Sequence, residues 1–522
     1  MAGTRQENLQ IKVPALVHLS RLGYGYLSRE QAIRRDRKTN LIRETLKAAM
    51  ERINGSPINE RTFGRMIEEI REWLDADDLG KRFYGMIRDG WNGLKLIDYD
   101  NPENNLFQSA AELTCGNGAG CFRPDITLYI NGIPLAMIEV KTRDHPGSLQ
   151  TEYERMLDRF HNRETRRYLQ CAQVWAFSDD HADDPYRLRP TEGTFFTTVM
   201  TDDFPIYAVR GNPPGATGRL RPGNREEEQR ILKDNGIQTI PRFNEYRKSL
   251  SPAKPTHSML TTLFQPDRFL FLLRYGIHYL WETDPAGRTS LSRRMLTIGQ
   301  LGALGELRGK AKRGYRNWTV RNRGAAGEDA ANAAMIHLIR DLIPGATIRW
   351  VSVDDAAAQK TAAAMEACGI PCVRWYGAAA SADVIEGTNA TEAVMLITMA
   401  ASPETRPWEK SAEDASGRSV YILPGINLPY GQKASWSDRL RKSAPNAILV
   451  TRSIRETEPR METGPYGYLC CPVRRPNGGK NGDHKDGFHA GHAVPENAVA
   501  GQAQAADEGH PAGSPGQTGR GK

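Results

Sequence analysis

The sequence lacks two features that would place it in or across a membrane. None of its 522 residues fall in an apolar run approaching the ~18 residues that a membrane-spanning helix needs. The first residues, MAGTRQENLQIK, are polar and lack the apolar core of a secretory signal. These absences predict a soluble, cytoplasmic protein with no membrane partner.

Cysteine is scarce, and strong charge of either sign is absent. The seven cysteines are an odd number and show no matched pair of zinc-finger spacings, so we expect reduced thiols rather than disulfides or structural zinc. The formal net charge is +8, with 39% hydrophobic and 25% charged residues. This composition is typical of a globular protein, and its modest basic excess favours a polyanionic partner such as DNA.

The most informative stretch present is Phe122–Lys141, FRPDITLYINGIPLAMIEVK. Asp125 precedes a short apolar strand and an Asn-Gly turn, and a second apolar strand ends in Glu139 and Lys141, whose side chains leave the same face. Paired carboxylates can hold Mg²⁺, and a lysine can orient an attacking water and offset charge on a phosphate. The stretch predicts a metal-dependent phosphodiesterase; the alternative is an ordinary edge hairpin whose terminal charges are solvated.

The turn of this hairpin decides where Asp125 points. A two-residue turn would place Asp125 opposite Ile138, on the other face from Glu139. A three-residue connection or a one-residue bulge would pair Asp125 with Glu139 instead. Because Pro134 cannot donate to a strand ladder, we expect an irregular connection that gives this second pairing.

Around the hairpin, the periodicity of apolar residues predicts a mixed α/β core. The predicted helices are 7–22 (closed by Gly23), 29–53, two within 59–88, and 149–163, and the predicted strands outside the hairpin are 94–100, 106–113 and 173–178. Residues 191–255 are rich in Pro and Gly and predict an irregular connector with one charged helix at 225–235.

The second half of the chain predicts another α/β unit. Residues 256–310 are predicted to be helical, with a break at Pro266, and alternating strands and helices follow from about 315, which is typical of a parallel sheet. We expect residues 461–522, which have almost no periodicity, to be a disordered tail.

Residues 7–178 resemble the N-terminal region of the restriction (R) subunit of type I restriction-modification enzymes. The matching stretches are LGYGYLSREQA, FYGMIRDG, LKLIDYDNPENNLF, FRPDITLYINGIPLAMIEVK and QVWAFSDD. The resemblance implies a PD-(D/E)xK endonuclease domain over residues 1–190, in which Asp125 and Glu139 bind Mg²⁺ and Lys141 is the catalytic lysine.

The resemblance also implies two further site residues. Glu7 resembles an extra acid of the family and would be an additional metal ligand. The family has a Gln-x-x-x-Tyr pair on the helix that follows the lysine. Here Gln150 and Tyr153 are one residue closer together, which makes Gln150 the candidate; on a helix it would face Tyr153.

The resemblance continues into residues 256–460, where the family has a RecA-like, ATP-binding motor domain. At the phosphate-binding loop this chain reads RGAAGED: Gly324 and Gly327 remain, but Glu328 and the next aspartate stand where Lys and Ser/Thr belong and would repel a triphosphate. The position of the acidic box reads LPGI, and TRSI replaces the Thr-Gly-Thr-Pro stretch. We therefore expect a degenerate motor domain without ATP hydrolysis; the alternative is an unrelated α/β domain.

Together these features predict an Mg²⁺-dependent DNA endonuclease resembling a type I site-specific deoxyribonuclease. It would restrict foreign DNA without its own ATP-driven translocation, in a complex with methyltransferase and specificity subunits. One alternative is a non-catalytic DNA-binding or assembly subunit of a restriction-modification or phage-defence complex. Another is a stand-alone defence nuclease that is supplied by a separate motor.

Overall fold

The computed structural model describes part of the chain, all of it within one compact unit, Met1–Arg474. The described residues are 7–37, 39–116, 121–142, 149–181, 193–198, 207–208, 220–240, 242–283, 286–322, 328–352, 354–374, 393–398, 418–423, 446–454 and 468–472. No helix among them is long and apolar enough to cross a membrane.

The described helices are α1 (Val13–Leu22), α2 (Arg43–Asn54), α3 (Glu60–Asp75), α4 (Lys81–Asp89), α5 (Leu149–His161), α6 (Arg163–Cys171), α7 (Arg225–Asp234), α8 (Phe243–Ser249), α9 (Pro255–Phe264), α10 (Pro266–Tyr275), α11 (Ile298–Lys312), α12 (Glu328–Leu342) and α13 (Asp355–Ala367). A π-helical turn, Asn8–Lys12, precedes α1, and single 3-10 turns occur at Gln31–Arg34 and Pro102–Asn104.

The described strands are β1 (Gly25–Tyr26), β2 (Phe107–Ala111), β3 (Ile126–Ile130), β4 (Ile133–Val140), β5 (Val174–Ser178), β6 (Thr194–Thr197), β7 (Tyr207–Ala208), β8 (Ile277–Thr283), β9 (Thr289–Met295), β10 (Asn317–Asn322), β11 (Thr347–Ser352), β12 (Cys372–Arg374), β13 (Val394–Thr398), β14 (Ser419–Leu423), β15 (Ile448–Ile454) and β16 (Tyr468–Pro472).

The first sheet confirms the predicted mixed α/β core. Its seven strands follow the order β1 to β7. Strands β2, β3 and β4 form an antiparallel meander, and β5 runs parallel to β4 after a crossover through α5 and α6. Every residue of β3, β4 and β5 is buried, which is typical of the centre of a sheet that is covered on both faces.

The N-terminal helical segment agrees with the prediction, except that it begins as a π-helix. After the π-turn Asn8–Lys12, α1 runs to Leu22 and ends at Gly23, which has the left-handed φ of 115°. The Gly23 N–H donates to the carbonyls of Leu19 and Ser20, both at 3.1 Å, and closes the helix. This end fixes the direction in which the chain enters β1.

The predicted strand at 94–100 is wrong, because Asp98 organises this segment as a turn. One carboxylate oxygen of Asp98 accepts the N–H groups of Asp100 (3.1 Å) and Asn101 (3.0 Å), and the other accepts the Asn104 side-chain amide at 2.8 Å. Backbone donors that bond to a side chain in this way are not available to a strand ladder.

The predicted helix at 29–53 is also wrong in its first half, since α2 begins at Arg43. Before it, Gln31–Arg34 makes a single 3-10 turn and Asn40 adopts a left-handed φ of 58°. The Asn40 side chain is buried and accepts from Arg35 Nε at 3.1 Å. A left-handed residue interrupts a right-handed helix, so the segment cannot be continuous.

In residues 256–310 the predicted break at Pro266 is confirmed, but an unpredicted β-hairpin separates α10 from α11. Helix α10 ends before Gly276, where a Cβ atom would lie 2.8 Å from the Leu272 carbonyl oxygen. The chain then enters β8, whose first residue, Ile277, pairs with Met295 of β9. The absence of a side chain at Gly276 permits this sharp exit from the helix.

The second sheet has the predicted parallel arrangement. Its order is β12-β13-β11-β14-β15-β10-β16, and its neighbouring strands are parallel except for β16, which is antiparallel to β10. Strand β16 corrects the prediction that residues 461–522 are all disordered, because Cys470 pairs with Val320. The rest of that tail, residues 323–327 and residues 424–445 lie outside the described residues.

Polar contacts join the two α/β regions at the end of α10. Arg274 makes ion pairs with Asp100 in the turn that follows Asp98 (3.0 Å) and with Asp341 on α12 (2.9 Å). The Tyr275 hydroxyl donates to Asp341 at 2.7 Å. One arginine therefore connects the first sheet's region to a helix of the second.

Candidate active site

A β-bulge brings Asp125 into register with Glu139. Ile126 pairs with Ile138 and Leu128 with Ala136, but Tyr129 pairs with Pro134, so Leu135 is an extra residue in β4. If the pairing of Ile126 with Ile138 is continued by one residue beyond the start of β3, Asp125 lies opposite Glu139. The predicted pairing is therefore confirmed, although the bulge produces it and the turn itself remains a two-residue Asn-Gly turn with left-handed φ values of 53° and 79°.

The acid and the lysine meet at the end of β4. Asp125 Oδ2 accepts the N–H of Val140 at 2.9 Å and lies 3.8 Å from Lys141 Nζ. The Lys141 N–H donates to the Ser178 carbonyl oxygen at 2.9 Å, which ties the end of β4 to the end of β5. The structure thus brings Asp125, Glu139 and Lys141 together at one edge of a buried sheet.

Glu139 is a buried acid whose electrostatic environment disfavours its charged form. Its side chain is 4% exposed, and its Oε1 atom has no hydrogen-bond partner within the part of the chain that the structure describes. Burial and the neighbouring Asp125 carboxylate raise its pKa well above the ordinary value, while Lys141 partly opposes them. A buried carboxylate in this setting needs a cation to be stable in its charged form.

Lys141 is held as an ammonium. Burial alone would lower its pKa, but the carboxylates of Asp125 and Glu139, with smaller contributions from Glu152 and Glu7, raise it above the ordinary value. The lysine therefore supplies positive charge and hydrogen-bond donors at this edge.

The donor set fits Mg²⁺ bound by two carboxylates. Asp125 and Glu139 offer oxygen atoms, and Glu139 Oε1 is buried with no described partner. Among the described residues no group of three or more His, Cys, Asp or Glu side chains is arranged to hold a metal ion. Mg²⁺ commonly binds through one or two carboxylates and takes its other ligands from water and substrate phosphates, so two are sufficient.

The two peripheral residues predicted from the resemblance have different outcomes. Glu7 immediately precedes the π-turn, and its charge contributes to the raised pKa of Lys141. Gln150 lies in the first turn of α5, but its side chain is outside the described residues. Its predicted neighbour Tyr153 is buried, with its ring centroid 5.8 Å from that of Phe177 on β5.

Glu152 is a site residue that sequence reasoning missed. It is 4% exposed, and its carboxylate raises the pKa of both Glu139 and Lys141. Arg155, one helical turn later, donates to it at 2.5 Å. The signal was present in the spacing, because Glu152 lies three residues after the buried Leu149 and four before the buried Met156, on the inner face of α5.

The predicted phosphate-binding loop is only partly described. Gly324 and Gly327 lie outside the described residues, and Glu328 is the half-buried first residue of α12. The position of the acidic box begins at Leu423, the last residue of β14, and continues outside the described residues.

Comparison with known proteins identifies the region that carries the site. Residues 4–182 match the family model for the type I restriction enzyme R protein N terminus. Two relatives from Methanocaldococcus jannaschii are the putative type I restriction enzyme MjaIXP endonuclease subunit (28% identical over 207 residues, 34% of this chain and 19% of the relative) and the corresponding MjaVIIIP subunit (37% over 86 residues, 16% and 8%). The matched segments thus span less than a fifth of either relative's length. The stretch that matches this family model, residues 4–182, contains the whole acid–lysine site.

Proposed function

We propose that this chain is an Mg²⁺-dependent DNA endonuclease of the PD-(D/E)xK type, resembling the R subunit of type I restriction enzymes. The observation that carries the proposal is the buried Oε1 of Glu139, which has no hydrogen-bond partner among the described residues, together with Lys141 Nζ 3.8 Å from Asp125 Oδ2. The meander β2-β3-β4, the helical crossover and the parallel strand β5 supply the frame that such a site requires.

Each side chain has a distinct role in this proposal. Asp125 and Glu139 would hold the metal, which polarises the phosphodiester and activates the attacking water when it is bound. Because the surrounding carboxylates raise its pKa, Lys141 acts as a cation that orients the water and offsets charge on the phosphate, not as a proton-accepting base. The Val140 N–H keeps the Asp125 carboxylate turned toward Glu139.

The test combines calorimetric Mg²⁺ binding with plasmid cleavage. Asp125→Asn and Glu139→Gln should each abolish Mg²⁺ binding and reduce cleavage by roughly 100-fold or more, because several kcal/mol of charge stabilisation are lost. Lys141→Met should retain Mg²⁺ binding but lose cleavage to a similar extent. Asp77→Asn removes an exposed acid of the same domain and should change neither.

Cleavage that survives Asp125→Asn or Lys141→Met would overturn the assignment. Mg²⁺ binding without cleavage by the wild-type chain, alone or with its partners, would favour a non-catalytic DNA-binding or assembly subunit.

We further propose that the second sheet is a degenerate RecA-like motor domain that lacks ATP-driven translocation. Its parallel order supports a shared ancestry, while Glu328 and the residue after it place carboxylates where a triphosphate would lie. The partners would be DNA and the methyltransferase and specificity subunits of a type I complex. Co-purification of those subunits with the full chain tests the assembly.

A further inference from the structure

Lys12 is a buried cation that contacts Glu112, a residue hydrogen-bonded to the backbone of Asp125. It ends the π-turn, and its side chain is 1% exposed. Its Nζ atom donates to Oε1 of Glu112, the residue that directly follows β2. A buried ammonium is costly unless it is paired, and replacing such a pair with apolar groups is often neutral for stability, so stability alone does not account for it.

Glu112 connects this cation to Asp125. It follows β2 with a left-handed φ of 48°, an uncommon conformation for a residue with a side chain. Its N–H donates to the Asp125 carbonyl oxygen at 3.2 Å, and its second carboxylate oxygen accepts from Arg29 at 2.7 Å. Burial would raise the pKa of Glu112, but Lys12 and Arg29 lower it, so the carboxylate stays charged between two cations.

A residue beside the same π-turn also acts on Lys141. Glu7 precedes the turn and acts electrostatically on Lys141, while Lys12 ends it and contacts Glu112. One short segment thus carries an acid that acts on Lys141 and a cation that pairs with Glu112. Single π-turns occur frequently at functional sites.

We infer that Lys12 is a positioning residue: by holding Glu112 in its left-handed conformation, it fixes the backbone of Asp125 so that the carboxylate lies opposite Glu139. The inference rests on the proposed metal-dependent function of that pair. The chain of contacts runs from Lys12 Nζ to the Glu112 carboxylate, from the Glu112 N–H to the Asp125 carbonyl, and from Asp125 Oδ2 to the Val140 N–H.

The test uses Lys12→Met in the full chain, which removes the charge while keeping a similar length. Mg²⁺ affinity, measured by calorimetry without DNA, should fall roughly tenfold, the typical loss when a residue supporting a metal ligand is removed. Hydrogen exchange at the Glu112 and Val140 amides should accelerate more than exchange elsewhere in the sheet. Glu112→Gln should behave alike, and the double variant should be no worse than either single one, because both act through one contact.

Arg71→Met is the matched control. It breaks the ion pair between Arg71 and Asp36, which are 2.6 Å apart in the same domain. Neither residue belongs to the acid–lysine site, so the variant should leave Mg²⁺ affinity unchanged. If Lys12→Met does not fold, Arg29→Met can be used instead, because it removes the second, more exposed ion pair of Glu112. It should reduce Mg²⁺ affinity by a smaller factor.

The outcomes separate this inference from the proposed function. If the wild-type chain binds Mg²⁺ and the Lys12 and Glu112 variants bind it equally well, the positioning role alone is overturned. Wild-type chain that binds no Mg²⁺ would overturn both proposals.

Discussion

Gly132 packs directly against the backbone of Ile42. The Ile42 N–H donates to the Gly132 carbonyl at 2.9 Å, and a Cβ atom added at Gly132 would lie 2.7 Å from the Ile42 carbonyl oxygen. The start of α2 therefore closes on the turn that joins β3 to β4. Because this turn and the bulge after it set the register of Asp125 against Glu139, the contact stabilises the geometry of the site.

We expect Gly132→Ala to lower the free energy of unfolding by about 3 kcal/mol, combining the cost of a left-handed alanine with that of a steric clash. Gly93→Ala is the matched control, since Gly93 has a nearly identical φ of 80° but no atom of the described residues lies within 4 Å of its added Cβ. That variant should lose only about 1 kcal/mol. Chemical denaturation of both measures the difference, and equal losses would contradict the role of the Ile42 contact.

Much of the site could be predicted from the sequence, because its residues lie on short regular segments. Asp125 precedes one apolar strand, and Glu139 and Lys141 lie at the end of the next, so their convergence depends on strand register. The sequence could not show that Leu135 is the bulged residue, since any position in the uniformly buried β4 could accommodate the extra residue. Glu152 was missed although its spacing from Leu149 and Met156 indicates the inner face of α5, because an acid on a densely charged helix is usually solvated.

The larger errors in the fold arose where side chains or backbone geometry override local periodicity. Asp98 bonds to backbone donors and converts a strand-like KLIDY segment into a turn. The apolar run before the β8–β9 hairpin fits a buried helix and a buried strand equally well, and the close contact at Gly276 marks the change between them. Neither the turn at Asp98 nor the change from helix to strand at Gly276 alters the spacing of apolar residues, so the sequence pattern does not show them.

A stacked pair of buried histidines predicts loss of stability in acid. The rings of His18 on α1 and His257 on α9 are parallel, with centroids 4.4 Å apart. Burial, reinforced by the neighbouring His257, lowers the pKa of His18 to about 2, and burial lowers that of His257 to about 4. The unfolded chain takes up protons below pH ~6.5 while the folded chain does not, so stability is complete above that pH and falls as the pH drops toward 4.

We expect the loss to reach roughly 2 kcal/mol for each of these two histidines at about pH 5. Replacing both with phenylalanine, which keeps the ring stack, should flatten the decline of unfolding free energy between pH 6.5 and 5. The decline should not vanish, because burial also lowers the pKa of His278 to about 3 and that of His337 to about 4. His161→Phe removes an exposed histidine and should leave the slope unchanged; an unaltered slope in the double variant would refute the assignment.

Arg293 is a fully buried cation that ties the β8–β9 hairpin to the first sheet. Its Nη1 atom donates to the Leu79 carbonyl at 3.0 Å and to the side chain of Gln173 at 3.3 Å. No carboxylate among the described residues forms an ion pair with it. We expect Arg293→Met to cost about 1–3 kcal/mol in unfolding free energy, since it leaves buried acceptors without a donor.

The charge alone does not explain this role, because Arg293 serves several acceptors at once. Arg293→Lys should therefore recover little of the lost stability, as a single ammonium cannot reproduce the guanidinium's donors. Its neighbour Arg294 is the control: it is half-buried and pairs with Glu282 at 2.7 Å, and Arg294→Met should cost at most about 1 kcal/mol. Comparable melting shifts for the two methionine variants would disprove the special role of Arg293.

The second sheet should not support ATP hydrolysis, and a single repair should not restore it. Glu328 and Asp329 open α12 where a phosphate-binding loop would supply a lysine and a hydroxyl, and the LPGI segment that begins at Leu423 contains no acid to hold Mg²⁺ or activate water. Glu328→Lys combined with Asp329→Thr would remove the repulsion of a triphosphate but leave the hydrolytic groups missing. We expect that variant to gain nucleotide affinity, measured by calorimetry with ATP, while phosphate release in the presence of DNA stays at the level of a protein-free blank. Steady phosphate release by either the wild type or this variant would show that other residues of the chain complete the ATPase site.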